Sequence, residues 1–282
     1  LAYVTSGREL VAAADTGIKP DSDLLLLANP AYDLKTAKAS GSAVAPAGAQ
    51  RRSRNFRGAF GPLPGTEQEA RVVPSLVTGA KERKRVIVGA RATESVVKSM
   101  RSPRILHLAT HGFFLEDEDL APVSPMRGER PAAAKYENPL VRSGLAFAGA
   151  NHASESVGDD DGILTALEVT ALDLYGTDLV VLSACETGVG EVKTGEGVYG
   201  LRRAFALAGA KNLMMSLWPV SDEVTATQMK AFYKNMQTMP PAEALRQAQL
   251  KTIEELKPKY GGVAPPVLWA PFFLQGARAL GQ

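Results

Sequence analysis

Ile105-Leu106-His107-Leu108-Ala109-Thr110-His111-Gly112 and Leu179-Val180-Val181-Leu182-Ser183-Ala184-Cys185-Glu186-Thr187-Gly188 share one grammar: an apolar run, a chemically capable side chain, then a glycine. Runs that are apolar at consecutive positions read as strands covered on both faces. Four more occur at 24–28, 85–88, 212–217 and 272–274. Helical patterns separate them. Leu201, Phe205 and Ala208 share one helix face; Met229, Phe232, Tyr233 and Met236 share another; Leu245, Ala248, Thr252, Ile253 and Leu256 share a third. Thr66 with Glu69 and Thr165 with Glu168 have capping-box spacing and are expected to open helices. Strands alternating with helices predict an α/β fold: a central, mostly parallel six-stranded sheet flanked by helices.

At 282 residues, 45% hydrophobic and 22% charged, the composition is that of a globular chain with ample core material, and 1–282 is taken as one unit. Lys plus Arg number 32 and Asp plus Glu 30, so a net charge of +2 gives no reason to expect nucleic acid or an anionic membrane as partner. The single cysteine excludes an internal disulfide and a four-thiolate zinc site, and fits a reducing, cytoplasmic setting. His107, His111 and His152 have no metal-ligand spacing, and no apolar stretch approaches the roughly 20 residues of a membrane helix. No metal or cofactor is expected. The start at Leu1, without Met, reads as a piece of a longer protein.

Two stretches, 36–60 and 116–137, read as flexible loops. The first is rich in Ala, Gly and Ser, then basic at Arg51, Arg52, Arg54 and Arg57; it is a plain surface loop or a dock for an acidic partner. The second is acidic, then proline-rich, and directly follows the His111 strand. It shapes a substrate cleft or is a solvated insertion, because loops at carboxyl ends of parallel strands are where such folds bind ligands.

A lone cysteine is usually a small buried hydrophobe. Cys185 differs by standing where a strand must stop, before a glycine-rich segment. At an ordinary pKa of about 8.5 its thiol needs a neighbouring base to act as a nucleophile. His107, between Leu106 and Leu108, reads as a hydrogen-bonded core residue; His152, beside Asn151, reads as solvated. His111, at the strand end before Gly112, is the candidate base. The pattern from Gly195 to Gly200 matches the dinucleotide fingerprint G-x-G-x-x-G, but begins ten residues past Cys185 rather than directly after its strand. Asp222, after Trp218-Pro219-Val220-Ser221, is a helix-start residue or a carboxylate facing a specificity pocket. The acidic runs 116–119 and 159–161 lack a recognised calcium-ligand spacing.

Taken together, His111-Gly112, Ser183-Ala184-Cys185-Glu186-Thr187-Gly188, Leu63-Pro64-Gly65-Thr66, Arg142-Ser143-Gly144-Leu145, Gly162-Ile163-Leu164-Thr165-Ala166, Trp218-x-Val220-x-Asp222 and Trp269-Ala270-Pro271-Phe272 resemble the CHAT domain. This is a caspase- and separase-related peptidase family often found behind tetratricopeptide repeats. The resemblance covers most of the chain but not 36–60 or 116–136. It implies a caspase-like α/β sandwich, a dyad of His111 and Cys185, and an oxyanion hole made by the backbone N–H groups of Gly112 and Cys185. Separases resemble the stretch 218–222 and cleave after arginine, which makes Asp222, with Asp161 second, a candidate for holding a cationic P1 side chain.

The leading expectation is a cysteine endopeptidase acting on a protein or peptide substrate, regulated by an upstream repeat domain. Its peptide is expected to lie extended, paired with a strand near 143–147. The second reading is a non-catalytic CHAT signalling or interaction module; the third, a nucleotide-dependent enzyme, rests on the displaced glycine pattern alone.

Overall fold

Each of the six apolar runs is a strand, and the six hydrogen-bond side by side in one sheet. The computed structural model describes residues 2–3, 18–35, 60–114, 139–156, 160–183, 196–218 and 222–276. Its strands are β1 (Ala2–Tyr3), β2 (Ser22–Pro30), β3 (Lys84–Gly89), β4 (Pro103–Ala109), β5 (Gly112–Phe114), β6 (Ser143–Ala146), β7 (Ile163–Thr165), β8 (Leu179–Leu182), β9 (Asn212–Ser216) and β10 (Phe272–Gly276). The main sheet runs β1-β10-β9-β8-β4-β2-β3. Every adjacent pair is parallel except β10 against β9. The two-residue β1 is a seventh strand that the sequence pattern does not announce.

The helices are α1 (Pro64–Leu76), α2 (Glu94–Lys98), α3 (Ala166–Val169), α4 (Glu196–Leu207), α5 (Asp222–Asn235), α6 (Pro241–Leu256) and α7 (Pro266–Trp269). Strand side chains alternate between the two faces. Leu25, Leu27, Leu106, Leu108, Val180 and Leu182 pack with Val97, Val169, Leu201 and Phe205 of α2, α3 and α4. Leu24, Leu26, Ile105, Val181 and Met214 pack with Val73, Phe232, Tyr233 and Leu245 of α1, α5 and α6. Covered on both faces, the inner strands have no polar alternation, and each fully buried leucine contributes about 1.5–3 kcal/mol of transfer free energy. The edge strand β3, expected to be covered like the rest, is instead half-buried to exposed, with Arg85 and Val88 outward. No described helix is long and apolar enough to cross a membrane.

The two expected capping boxes part ways. Thr165 and Glu168 form one at the start of α3. Thr66 and Glu69 do not: Pro64 opens α1 two residues earlier, where its missing N–H costs nothing. Thr66 then donates its hydroxyl to Leu63 O, and Glu69 turns into the core.

A second, antiparallel sheet, β5-β6-β7, leaves the main one at the end of β4. Its centre is β6, paired on both sides. This corrects the expectation that a peptide pairs with the strand near 143–147, since both edges of that strand are already occupied. Gly144 lets the three strands meet: a Cβ there would lie 2.5 Å from Leu164 O and 2.8 Å from the Phe113 ring. Gly200 of the dinucleotide-like pattern lies inside α4, where a Cβ would sit 3.1 Å from Ser143 Oγ. It is a close-packing residue, not part of a strand-to-helix phosphate turn.

Among the long strands β2 comes first, with β3 laid on one side and β4 on the other, so the topology reverses between β2 and β4. Crevices form beyond the carboxyl ends of strands at such a reversal. Tyr32 follows β2 there and His111 follows β4. Tyr32 belongs to a third apolar cluster with Phe60, Leu63, Phe113, Ala146 and Ile163.

Candidate active site

His111 is held by its backbone before its ring is considered. Its N–H donates to Tyr32 Oη at 3.4 Å, and its carbonyl accepts from Ala146 N–H at 2.9 Å. Thr110 donates its hydroxyl to the Ala146 carbonyl, so it accepts from Tyr32 Oη–H, 2.9 Å away. Two hydroxyls thus lock the step from β4 into β5 with a consistent run of donors and acceptors.

The ring is nearly buried, 5% exposed. It stacks on Phe60, with centroids 5.4 Å apart and planes at 26°, and meets Tyr32 at 5.1 Å. Nε2 lies 2.8 Å from Gly61 O. A carbonyl oxygen only accepts, so Nε2 carries the proton and Nδ1 holds the lone pair of the neutral ring. The short strap 60–63 delivers that carbonyl and is pinned at each end. Asn151 accepts from Phe60 N–H at 2.8 Å and donates to Phe60 O at 3.1 Å. Asn29, in the left-handed region at φ 42°, accepts from Leu63 N–H at 2.8 Å. Phe60, the last residue of the stretch 36–60 expected to be a flexible loop, is only 6% exposed and stacks on His111. The remainder of that loop, 36–59, and all of 116–137 lie outside the described residues.

Gly112 faces Leu145 across the β5–β6 ladder. The bond from Ala146 N–H to His111 O flanks that pair. Antiparallel ladders alternate, so Gly112–Leu145 is a non-hydrogen-bonded pair and the Gly112 N–H points away from β6. A backbone donor beside the histidine therefore faces out of the sheet.

Cys185 lies outside the described residues. The strand that precedes it does not: β8 neighbours β4, with Leu182 in register with Leu108, and Ser183 N–H donates to Leu108 O at 3.3 Å.

Four residues before His111, His107 has a different setting. It is fully buried, with Nδ1 2.8 Å from Tyr233 Oη and Nε2 3.0 Å from Ser183 Oγ. Glu69 Oε2 lies 2.9 Å from the same Nε2, without an aligned hydrogen bond. Burial, then the charge of Glu69, push the Tyr233 phenol well above its usual 10 and keep it a donor. Ser183 beside His107 has the spacing of a nucleophile and base, but both are 0% exposed and no substrate can reach them.

The remaining candidates are scattered. Asp161 is buried and accepts from Ile163 N–H at 2.9 Å, closing the turn into β7. Asp222 is the first residue of α5. His152, expected to be solvated, is half-buried, its Nδ1 3.4 Å from Glu155. Near Asp161, Glu94 accepts from Gly162 N–H at 3.0 Å and lies 2.5 Å from Lys98 Nζ. Burial, reinforced by Glu168, outweighs Lys98 and lifts the Glu94 carboxyl to about 8. Burial also works against the Lys98 ammonium, but Glu168, 2.8 Å away, and Glu94 outweigh it and raise its pKa. The two shifts pull apart, since Glu94 supports Lys98 only when ionised. The more exposed Glu168 remains as the partner of Lys98 when Glu94 is protonated. Among the described residues no three His, Cys, Asp or Glu side chains converge as metal ligands.

Sequence reasoning reaches His111 and Gly112 but misses Tyr32, Phe60, Gly61, Asn29 and Asn151. Tyr32 has a usable signal, its place just past an apolar strand. Gly61 acts through a carbonyl, which no residue type advertises.

Human (Homo sapiens) tetratricopeptide repeat protein 28 is 30% identical over 226 residues and its mouse (Mus musculus) counterpart 29%. The match covers 77% of this chain but only 9% of either relative, so the chain spans under a tenth of their length. The crystal structure of the Saccharomyces cerevisiae separase–securin complex superposes with a TM-score of 0.41 at 12% identity, over 76% of this chain and 11% of that one. The family model of the CHAT domain matches residues 1–277, and with an α/β sandwich that carries His111-Gly112 at the end of a central strand, the chain belongs to the CHAT domain family.

Proposed function

We propose that this domain is a cysteine endopeptidase in which His111 is the acid–base partner of Cys185. The observation that carries the reading is the His111 ring, fixed through Nε2–H to the Gly61 carbonyl so that Nδ1 is the basic nitrogen. Two features support it. β4 and β8 are neighbours with Leu108 and Leu182 in register, and His111 and Cys185 each stand three residues beyond their member of that pair. The Gly112 N–H, directed away from β6, suits one half of an oxyanion hole; the Cys185 N–H is the proposed other half. Each such donor contributes roughly 3 kcal/mol to the transition state.

In the reaction, the Cys185 thiol gives its proton to His111 and the thiolate attacks the scissile carbonyl carbon. The oxyanion collapses to a thioester as the C–N bond breaks, and the leaving amine takes the proton from His111. Water then attacks the thioester, His111 accepts its proton and returns it to the departing thiolate, and a carboxylate is released. Asp222, with Asp161 second, is proposed to pair with an arginine at P1. The repeat-containing relatives support an upstream repeat domain that orders the cleft, and the lone cysteine suits a reducing cytoplasm.

The test is labelling with a peptidyl electrophile carrying arginine at P1, read by intact mass. One adduct on the wild type, lost in Cys185→Ala and strongly slowed in His111→Gln, is expected. Equal labelling of the folded wild type and of His111→Gln would remove the dyad and leave the interaction module.

A further inference from the structure

We propose that Asn151 is a positioning residue for His111, acting through the 60–63 strap to set which ring nitrogen is basic. Its side-chain amide makes three hydrogen bonds. Oδ1 accepts from Phe60 N–H at 2.8 Å, while Nδ2 donates to Phe60 O at 3.1 Å and to Asp33 Oδ1 at 2.7 Å. These partners fix the amide's orientation, since Phe60 N–H and the Asp33 carboxylate cannot exchange roles. Satisfying both backbone groups of one residue is what a neighbouring strand does in a sheet; here a single side chain replaces the strand. Asn151 is itself anchored, its N–H donating to Tyr32 O at 3.0 Å. One residue therefore ties together the segment after β2, the strap, and the aromatic wall around His111.

The chemistry of the strap makes this pin decisive. Between Phe60 and Leu63 lie only Gly61 and Pro62. Pro62 has no N–H and a fixed φ, so it can neither compete for partners nor absorb slack. A Cβ on Gly61 would meet nothing within 4 Å, so close packing does not hold this residue in place. The position of the Gly61 carbonyl is then set by the two ends: Phe60, bonded by Asn151 and packed against Tyr32 and Phe113, and Leu63, bonded by Asn29. Release of the Phe60 end frees the carbonyl from Nε2 and unstacks Phe60 from the imidazole. The ring loses both the partner that holds its proton on Nε2 and the surface that holds its plane. Asp cannot replace Asn151, because it lacks the two donors and would face Asp33; Gln places the amide one methylene too far.

The consequence for catalysis rests on the general-base reading of His111; the tautomer does not. With three histidines in the chain, selective 15N labelling of histidine gives few ring signals, and long-range 1H–15N spectra at pH 8 report the tautomer of each. The wild type is expected to show His111 as the Nε2–H form. Asn151→Ala is expected to move it toward a mixture with a rapidly exchanging ring proton, while the buried His107 keeps its signals and so reports an intact fold. Where peptide turnover is measurable, kcat should fall about 10- to 100-fold with KM changed less than about 3-fold, the pattern of a misplaced reacting group. Asn29→Gly, which keeps the left-handed backbone but removes the second pin, should shift His111 in the same sense, and decides the matter if Asn151→Ala does not fold. A wild-type His111 that is not the Nε2–H form, or one that both variants leave unchanged, overturns the proposal. Absence of Cys185 labelling by the peptidyl electrophile in the wild type, with the tautomer shift present, would end the peptidase reading and leave the strap standing.

Discussion

His107 and His111 stand four residues apart on one run of chain, and their surroundings could hardly differ more. His107 sits within β4, where side chains on the α1/α5 face meet only core. Its two nitrogens and the neighbouring Glu69 carboxylate form a closed polar cluster with Tyr233 and Ser183. His111 has just left the strand, and its ring is fixed through Nε2 to a backbone carbonyl, Gly61 O, and by stacking on Phe60. The difference is one of position along the strand. A polar side chain inside a covered sheet takes its partners from the same sealed layer, whereas one at the carboxyl end stands at the crevice and can offer its imidazole for chemistry.

The sharpest way to break this contrast is to swap the consequences. His111→Gln keeps a donor for Gly61 O and most of the volume, but removes the proposed base. Peptide cleavage should fall by roughly 10²–10⁴-fold, the usual worth of a general acid–base, with the urea midpoint little changed. His107→Ala should do the reverse. It leaves the Tyr233 and Ser183 hydroxyls and the buried Glu69 carboxyl without their shared polar neighbour, and a buried polar group left unsatisfied costs about 1–3 kcal/mol. Glu69→Met with His107→Leu should recover part of that loss, because both polar groups leave together. A His107→Ala protein as stable as the wild type would show that the Glu69 contact carries nothing.

The same contrast explains what was legible in the sequence. The six strands were, because each is an unbroken apolar run bounded by polar or glycine residues; so was the Thr165–Glu168 cap. His111 could be told from His107 by its place at the end of a run. The strap was not legible, since it reaches His111 through the backbone of Gly61, fifty residues away, and its pins are two asparagines that read as loop residues. The Thr66–Glu69 spacing misled because Pro64 opens α1 first, freeing Glu69 to serve the core. β5, β6 and β7 are too short to show a period.

A second pair of sites sharpens the point about buried charge. Glu69 and Glu94 are both buried, on opposite faces of the sheet, but Glu94 also takes the Gly162 N–H. Its carboxyl is raised from an ordinary 4.5 to about 8. Between those values the folded chain holds a proton that the unfolded chain has released. The stability it contributes is complete below about 4.5 and is lost as pH rises through about 8, with a slope of up to about 1.4 kcal/mol per pH unit. The urea midpoint should therefore fall from pH 5 to pH 8. Glu94→Gln, which can still accept from Gly162, should flatten that slope, and a slope that persists in the variant assigns the proton elsewhere.

The smallest effects offer the finest comparison, because each histidine meets one tyrosine hydroxyl. Tyr233 Oη–H bonds to His107 Nδ1, and Tyr32 Oη accepts from His111 N–H while donating to Thr110. Replacing either by phenylalanine keeps the ring packing and removes one hydroxyl, so each should cost about 1 kcal/mol of stability. The costs should match; the consequences for turnover should not. Tyr233→Phe alters a sealed cluster and should leave kcat/KM unchanged. Tyr32→Phe frees the N–H of the peptide that joins Thr110 to His111, and so loosens the backbone of His111 that aims the next peptide and its Gly112 N–H. A donor aimed even slightly wrong stabilises a developing oxyanion less, and kcat should drop by roughly 3- to 10-fold with KM steady. Equal turnover in the two variants would mean that the hydroxyl on His111 is as purely structural as the one on His107, and that the Ala146 bond alone holds the Gly112 peptide in place.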